Sequence, residues 1–163
     1  MIQVRTHAIA RAAYARVAAR RRNPEKNAPE KNVRNEDGPK EDGLNEDGVK
    51  EKEYGALAHK LPGMILGNGL AQATGFLLAK GTEAHRALLD DLSAVLHAAG
   101  VIGQTGGDAL HQRIIQGDLR QTLMLTRRAL EASGWIKRYV QGVLHINATG
   151  DIESLAGRVD EDN

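Results

Sequence analysis

Apolar side chains recur along most of this chain at gaps of three and four residues, the spacing of helices with one buried face. A first Ala- and Arg-rich segment covers residues 3–22 and is expected to stop at Pro24. A second segment opens near Lys52, and Pro62 either begins a new helix or kinks this one. The next apolar row consists of Leu66, Leu70, Ala73 and Leu77.

The second half of the chain predicts three more helices. Gly81 ends the preceding row, and Thr82 can cap a helix that stops at Gly100. After a glycine-rich loop, Asp108 caps a shorter segment, and Asp118 opens the last and longest helix. The apolar positions of the two long helices are Leu88, Leu92 and Val95, followed by Leu125, Ala129, Ala132, Ile136, Tyr139 and Val143.

No segment shows the strict alternation of a half-buried strand. The dipeptide Asn68-Gly69 is a hairpin cue, but its flanks repeat with a helical period, so a helix is predicted there. The adjacent carboxylates of Asp90 and Asp91 point about 100° apart on a helix and are interpreted as solvated. The predicted fold class is all-α, a compact bundle of about five to six helices.

Residues 23–53 are low-complexity sequence, in which Asn-Glu-Asp-Gly occurs at 35–38 and again at 45–48. A stretch of Asn, Asp, Glu, Gly and Pro with so few large apolar residues cannot offset its ordering entropy. We therefore predict one helical domain over residues 1–147, interrupted by a long disordered acidic loop at 23–53 after the first helix. Residues 148–163 are predicted to form a flexible acidic tail.

The formal net charge of +1 averages segments of opposite sign. Residues 1–22 carry +6 and residues 54–150 carry +3, whereas residues 23–53 and 151–163 carry −4 each. The helical body is therefore strongly basic, and two acidic segments hide that charge in the total.

Composition and motifs argue against several classes of function. The chain has no cysteine, and its histidines lack metal-ligand spacing, so no metal site and no cofactor are predicted. Neither a phosphate-binding glycine loop nor a serine-hydrolase turn is complete, so the protein is not expected to be an enzyme. Without an apolar run long enough for a membrane span, the expected location is the cytoplasm, with no membrane partner.

The positive signal is a row of arginines on the last helix. Arg120, Arg127 and Arg138 are 7 and 11 residues apart, which returns them to nearly one azimuth opposite the apolar row. This face either is merely solvated or follows a nucleic-acid backbone. With only 3 % aromatic residues, any contact with RNA or DNA should be to phosphates and indifferent to sequence. The candidate nucleic-acid-binding residues are Arg16, Arg20, Lys60, Arg120, Arg127, Lys137 and Arg138.

Other residues leave two interpretations open. Lys60 is as readily an ordinary helix-end residue as a phosphate ligand. The side chains of Asn68 and Gln72 are one turn apart and either bond to each other or to a partner. Trp135 is predicted to anchor the core rather than to stack on a base. A second class of function is protein interaction, since the small residues Ala71, Gly75 and Ala79 permit a partner helix to approach closely.

Several segments resemble a known family in order along the chain. Residues 54–73, with their Leu-Pro-x-x-Ile-x-x-Asn-Gly-Leu-x-Gln core, resemble the central signature of the small subunit of the type III-B CRISPR effector, the Cmr complex. Residues 11–17 look like that family's first helix, 76–80 continue its second, and 125–130 with 135–139 look like its last.

The resemblance implies a non-catalytic, all-helical subunit that stacks in several copies along an RNA-guided ribonucleoprotein. Its implied partners are the Cmr backbone subunit, the large subunit, other copies of itself and the crRNA–target RNA duplex. Basic residues of the small subunit would contact the target strand, while other subunits carry out catalysis. The alternative is a helical assembly spacer that binds only protein.

Three positions depart from the family pattern. Arg128 stands where an acid is expected, which puts a local ion pair in doubt, and Thr122 stands where an aromatic residue is usual. The acidic stretch 23–53 is longer than the usual first connection.

Overall fold

The computed structural model describes residues 4–21 and 46–151, and it confirms the all-α prediction. Six α-helices and no β-strand occur in these two ranges, and a π-helical turn, Val140–Leu144, continues the last helix. The helices are α1 Arg5–Arg20, α2 Glu46–Asn68, α3 Leu70–Lys80, α4 Glu83–Ala98, α5 Gly107–Ile115 and α6 Leu119–Tyr139.

Helix α4 is the centre of the bundle, because it packs against each of the other five helices. Its apolar positions Leu88, Leu92 and Val95 are fully buried, as their spacing predicts. On α1 the matching buried row is Ile9, Ala13 and Val17, and on α6 it is Leu125, Ala129, Ala132 and Ile136.

The helix ends follow the predicted chemistry in part. Gly81 has φ 60°, a left-handed conformation that ends α3, and the Asp118 carboxylate caps α6 by accepting a hydrogen bond from the Gln121 backbone N–H at 2.8 Å. The prediction that Asp108 caps α5 is wrong. The first turn of α5 is instead capped from α4, where Asp90 accepts from the Gly107 N–H at 2.7 Å.

The predicted apolar row across residues 66–77 is interrupted. Pro62 lies inside α2 without ending it, whereas Gly69 adopts φ 85° between α2 and α3. Because this residue turns the chain, Leu66 does not share the buried face of Leu70, and its side chain is 72 % exposed. The chain around Gly69 is helical on both sides, as predicted, but it is not one helix.

Both predicted disordered boundaries are shifted. Helix α2 begins at Glu46, so the last eight residues of the predicted 23–53 loop are helical. The predicted tail at 148–163 begins too early, since the Asp151 N–H donates to the Asn147 side-chain oxygen at 2.9 Å and closes a turn. The remainder of both predictions, residues 23–45 and 152–163, lies outside the described residues.

The segment that follows α6 packs against α2 at a glycine. A Cβ on Gly55 would lie 2.5 Å from Cγ2 of Ile146, so only glycine allows this buried isoleucine to reach α2. One turn further on, the His59 Nε2–H donates to the Ile146 carbonyl at 2.8 Å, which fixes the tautomer of the imidazole. The chain after α6 is thus packed and hydrogen bonded onto α2.

Candidate nucleic-acid interface

The outer side of α6 carries the arginine row that the sequence predicts. Arg120, Arg127 and Arg138 are exposed, while Leu125 and Ala129 on the opposite side are buried. We call these three arginines the α6 basic face. None of them forms an ion pair with an acid in residues 4–21 or 50–151, so their charge is directed to solvent.

Aromatic side chains support the C-terminal end of this face. The guanidinium of Arg138 lies 5.3 Å from the ring centroid of Trp135, a cation–π geometry. Trp135 stacks on Tyr139 with centroids 5.6 Å apart, and Tyr14 of α1 meets Tyr139 edge-on at 5.4 Å. Trp135 is half-buried against the core, as an anchor residue would be, and it also holds Arg138 in place. Lys137, beside it, is half-buried.

The α6 basic face has neighbours of other chemistry. Glu131 binds Arg128, with Oε2 and Nη1 3.1 Å apart, so Arg128 forms a local ion pair although an acid was expected at its position. Three apolar side chains near the start of the helix are exposed: Leu119 by 75 %, Leu123 by 63 % and Met124 by 42 %. The N-terminal half of this surface therefore mixes positive charge with apolar area.

Arg16 and Arg20, the two candidates on α1, point to a different place. Both bind Asp91 of α4, a residue with no solvent exposure. Arg16 Nε donates to Oδ1 at 2.7 Å, and Arg20 donates through Nε to Oδ2 and through Nη2 to Oδ1, each at 3.0 Å. The Tyr54 hydroxyl of α2 donates to Oδ2 at 2.8 Å. These four residues are the Asp91 network.

The Asp91 network joins three helices through one carboxylate. Its hydrogen bonds raise the pKa of the Arg20 guanidinium, which stays charged at any ordinary pH. Burial raises the pKa of the Tyr54 hydroxyl well above its usual range, and the charge of Asp91 adds to that shift. Arg16 and Arg20 are thus occupied by an internal acid, and the interpretation of Asp91 as solvated is wrong.

The sequence held a signal for this burial. Asp91 follows Leu88 by three residues and precedes Val95 by four, so it lies within the apolar row of α4. Its neighbour Asp90 lies off that row and is exposed. An acid in a buried row requires cations opposite it, which Arg16 and Arg20 supply from the edge of the α1 row.

The remaining candidates lie around the corner between α2 and α3. Lys60 is exposed on α2, a different helix from the one that carries the α6 basic face. Asn68 and Gln72 are exposed and do not hydrogen bond to each other. They line a groove of about 590 Å³ together with Met64, Ala73 and Phe76. We call it the corner groove.

The small-residue row of α3 is only partly open. Ala71 and Ala79 are exposed, but a Cβ on Gly75 would lie 3.5 Å from Cε1 of His111 on α5, so the middle of the row is already covered. Within residues 4–21 and 50–151, no group of three or more side chains is placed to hold a metal ion. None of the helices described here is long and apolar enough to cross a membrane.

Comparison with known proteins assigns the family. A model of the family described as CRISPR-associated protein (Cas_Cmr5) matches residues 41–143, well over half of the chain. The chain belongs to the Cmr5 family. The resemblance to the small subunit of the type III-B Cmr effector, noted above on residues 54–73, is thereby confirmed.

A sequence match and a structural match support the Cmr5 assignment. The CRISPR system Cmr subunit Cmr5 of Thermus thermophilus is 38 % identical over 92 residues, which cover 56 % of this chain and 75 % of the relative. The crystal structure of a CRISPR-associated Cmr5 family protein from the same organism matches with a TM-score of 0.64 at 28 % identity. That match covers 88 % of this chain and 99 % of the other, so the whole helical body shares the Cmr5 fold.

Proposed function

We propose that this Cmr5-family chain is a non-catalytic subunit that stacks in several copies within a type III-B Cmr effector ribonucleoprotein in the cytoplasm and contacts the target RNA backbone. The observation that carries the RNA contact is the α6 basic face. Its three guanidinium groups are exposed and share one side of the helix, and Arg120 and Arg138 are about 27 Å apart along the axis at 1.5 Å per residue. A row of this length meets several successive phosphates of an extended strand.

The structure divides the seven candidate RNA ligands into two groups. Arg120, Arg127 and Arg138 are offered to solvent, with Lys137 at the edge of the same face and Lys60 on α2. Arg16 and Arg20 are bound to Asp91. A phosphate that contacted either guanidinium would compete with the Asp91 carboxylate for it. We therefore propose the first group as the RNA contact.

The proposed partners are the Cmr backbone and large subunits, neighbouring copies of this chain and the crRNA–target RNA duplex, with no membrane. The family assignment supports the Cmr complex as the setting.

The test uses the assembled complex and the salt dependence of its affinity for target RNA. Replacing Arg127 and Arg138 by alanine removes two phosphate contacts from each copy of the chain that meets the RNA, so the slope of log affinity against log salt concentration should become shallower by about 1.4 per copy, or 0.7 per contact. The matched control is Arg128→Ala on the same helix, because Arg128 is paired with Glu131 and should leave the slope unchanged. An unchanged slope for the double variant in an intact complex would contradict the RNA contact.

A second candidate function is an assembly spacer that binds only protein. The exposed Leu119, Leu123 and Met124 favour it, since apolar side chains next to arginines are typical of protein interfaces. Under this alternative, Leu123→Ser would reduce co-purification with the other subunits, and ultraviolet irradiation of the assembled complex would yield no crosslink between this chain and RNA. A crosslink within α6 would exclude the spacer function.

A further inference from the structure

The corner groove is a surface that the α6 basic face does not explain. It lies where α2 ends and α3 begins, and α3 packs mainly on α2, α4 and α5 rather than on α6. Gly69, at φ 85°, creates the corner, and the groove opens between the last turns of α2 and the first turns of α3. Its volume of about 590 Å³ is in the range of small-ligand sites.

Two helical rows with the same order of chemistry meet at this corner. In each row the members are four residues apart and therefore lie on one side of their helix. A carboxamide stands nearest the corner, a large apolar side chain comes next, and a lysine stands at the outer end. The rows are Asn68, Met64 and Lys60 on α2, and Gln72, Phe76 and Lys80 on α3.

The two carboxamides are available to a ligand. Neither Asn68 nor Gln72 hydrogen bonds to another side chain or to the backbone beyond its own helix in the described part of the chain. Each carboxamide carries both a donor and an acceptor group. Together they match a planar ligand whose edge alternates donors and acceptors.

Phe76 gives the groove an aromatic wall. It is the only phenylalanine of the chain, and 39 % of it is exposed although Leu70 and Leu77 of the same helix are buried. His85 packs against the ring in a tilted arrangement with centroids 5.7 Å apart, and the Lys80 ammonium lies over the ring, 5.9 Å from its centroid. The ring thus carries a positive charge over one face.

We propose that the corner groove binds one unpaired nucleobase of single-stranded RNA. The base lies against Phe76 and Met64, its edge bonds to the carboxamides of Asn68 and Gln72, and the flanking phosphates meet Lys60 and Lys80. The site tolerates any base, because every base has a π face and both carboxamides donate and accept. This inference rests on the proposed function in that RNA must reach this chain.

Charge favours RNA over a protein helix as the occupant. The residues that line the groove include no acid and no base, and both rows end in lysine. A polyanion with a flat, polar-edged ring satisfies the cations, the carboxamides and the aromatic wall together. An apolar helix would leave the two carboxamides facing it without partners, which costs binding energy.

The test is photocrosslinking in the assembled complex with target RNA that carries 4-thiouridine, followed by mass spectrometry of the crosslinked peptides. We expect crosslinks in the peptides that hold Met64 and Phe76. Phe76→Leu keeps the apolar volume but removes the aromatic face, and it should reduce the groove crosslinks about tenfold. Phe76→Tyr keeps the face and should retain them.

The outcomes separate this inference from the proposed function. Crosslinks confined to α6 would overturn the groove site while leaving the α6 contact in place. Crosslinks confined to the groove would support the site and contradict the α6 contact. Absence of any crosslink to this chain would overturn both, and loss of assembly with Phe76→Leu in a chain that still folds would overturn the groove site, since the groove would then hold a protein.

Discussion

Two pairs of arginines in this molecule have the same chemistry and opposite surroundings. Arg16 and Arg20 of α1 converge on Asp91, whose carboxylate has no solvent exposure. Arg127 and Arg138 of α6 are exposed, and neither forms an ion pair with an acid in the described residues. The two pairs differ in the side of the helix on which each arginine lies relative to one buried acid. A count of charges per segment does not contain this position.

The comparison changes the meaning of the basic N-terminal segment. Of its six arginines, two serve to fasten α1 to the centre of the bundle. A buried carboxylate without its cations is strongly unfavourable, so these arginines contribute to folding before they contribute to any binding. The α6 arginines form no ion pair with an acid in the described residues, so the RNA contact proposed for them breaks no ion pair of the fold.

The largest expected effect comes from removing the acid of the Asp91 network. Asp91→Ala leaves Arg16, Arg20 and the Tyr54 hydroxyl without their shared acceptor and should lower the free energy of unfolding by about 3 kcal/mol. Urea denaturation followed by circular dichroism measures it. The control is Asp108→Ala, an exposed acid on α5, with an expected change within about 0.5 kcal/mol. Equal losses for the two variants would remove the distinction between the two arginine pairs.

The next largest effect comes from replacing one arginine of each pair by lysine. Arg20→Lys keeps the charge but loses the two-point contact with Asp91 and should cost about 1 kcal/mol of stability. Arg127→Lys should change neither the stability nor the salt slope of RNA binding, because an exposed phosphate contact needs only a positive charge. A stability loss at Arg127 as large as that at Arg20 would contradict the comparison.

The pH dependence of stability tests the Asp91 network. The pKa of Tyr54 is raised in the folded protein, so the stability it contributes is complete below the ordinary tyrosine pKa of about 10 and is lost as pH rises toward the folded value. The free energy of unfolding should therefore fall above about pH 10 by up to about 1.4 kcal/mol per pH unit from this group. Tyr54→Phe is less stable at pH 8, since it loses the hydrogen bond to Asp91, but should lack this part of the decline.

The smallest effect concerns Arg128, which is intermediate between the two pairs. Its ion pair with Glu131 joins residues about one helical turn apart and is partly exposed. Arg128→Ala should therefore lower the free energy of unfolding by about 0.4 kcal/mol. The measurement is again urea denaturation, with Glu131→Ala expected to show the same small loss. A loss above about 1 kcal/mol would place Arg128 with the internal arginines.

Periodicity predicted most of the fold, because buried rows at gaps of three and four residues are set by the helix itself. Every predicted apolar position of α4 is buried, and so are the first four of α6. The predictions that failed are local. Gly69 separates α2 from α3, so Leu66 does not lie on the buried face of Leu70. The acidic start of α2 has no row of apolar residues from which it could be predicted. Neither a glycine in the left-handed conformation nor a helix start of low hydrophobicity is visible in the spacing of apolar residues.

The site was less predictable, because it depends on which helices meet. The row of Arg120, Arg127 and Arg138 follows from one helix and is found as predicted. The pairing of Arg16 with Asp91 spans 75 residues of sequence, and the corner groove needs the angle between two helices. Interactions within an element can be read from spacing, whereas those between elements require the packed structure.

The cation–π contact of Arg138 with Trp135 gives the protein its own spectroscopic probe. Trp135 is the only tryptophan of the chain, and it lies between Arg138 on the outer face and Tyr139, which touches α1 through Tyr14. Its fluorescence therefore has a single origin. When a phosphate draws the Arg138 guanidinium off the indole, the emission should change without any label, and when α1 detaches, it should change differently.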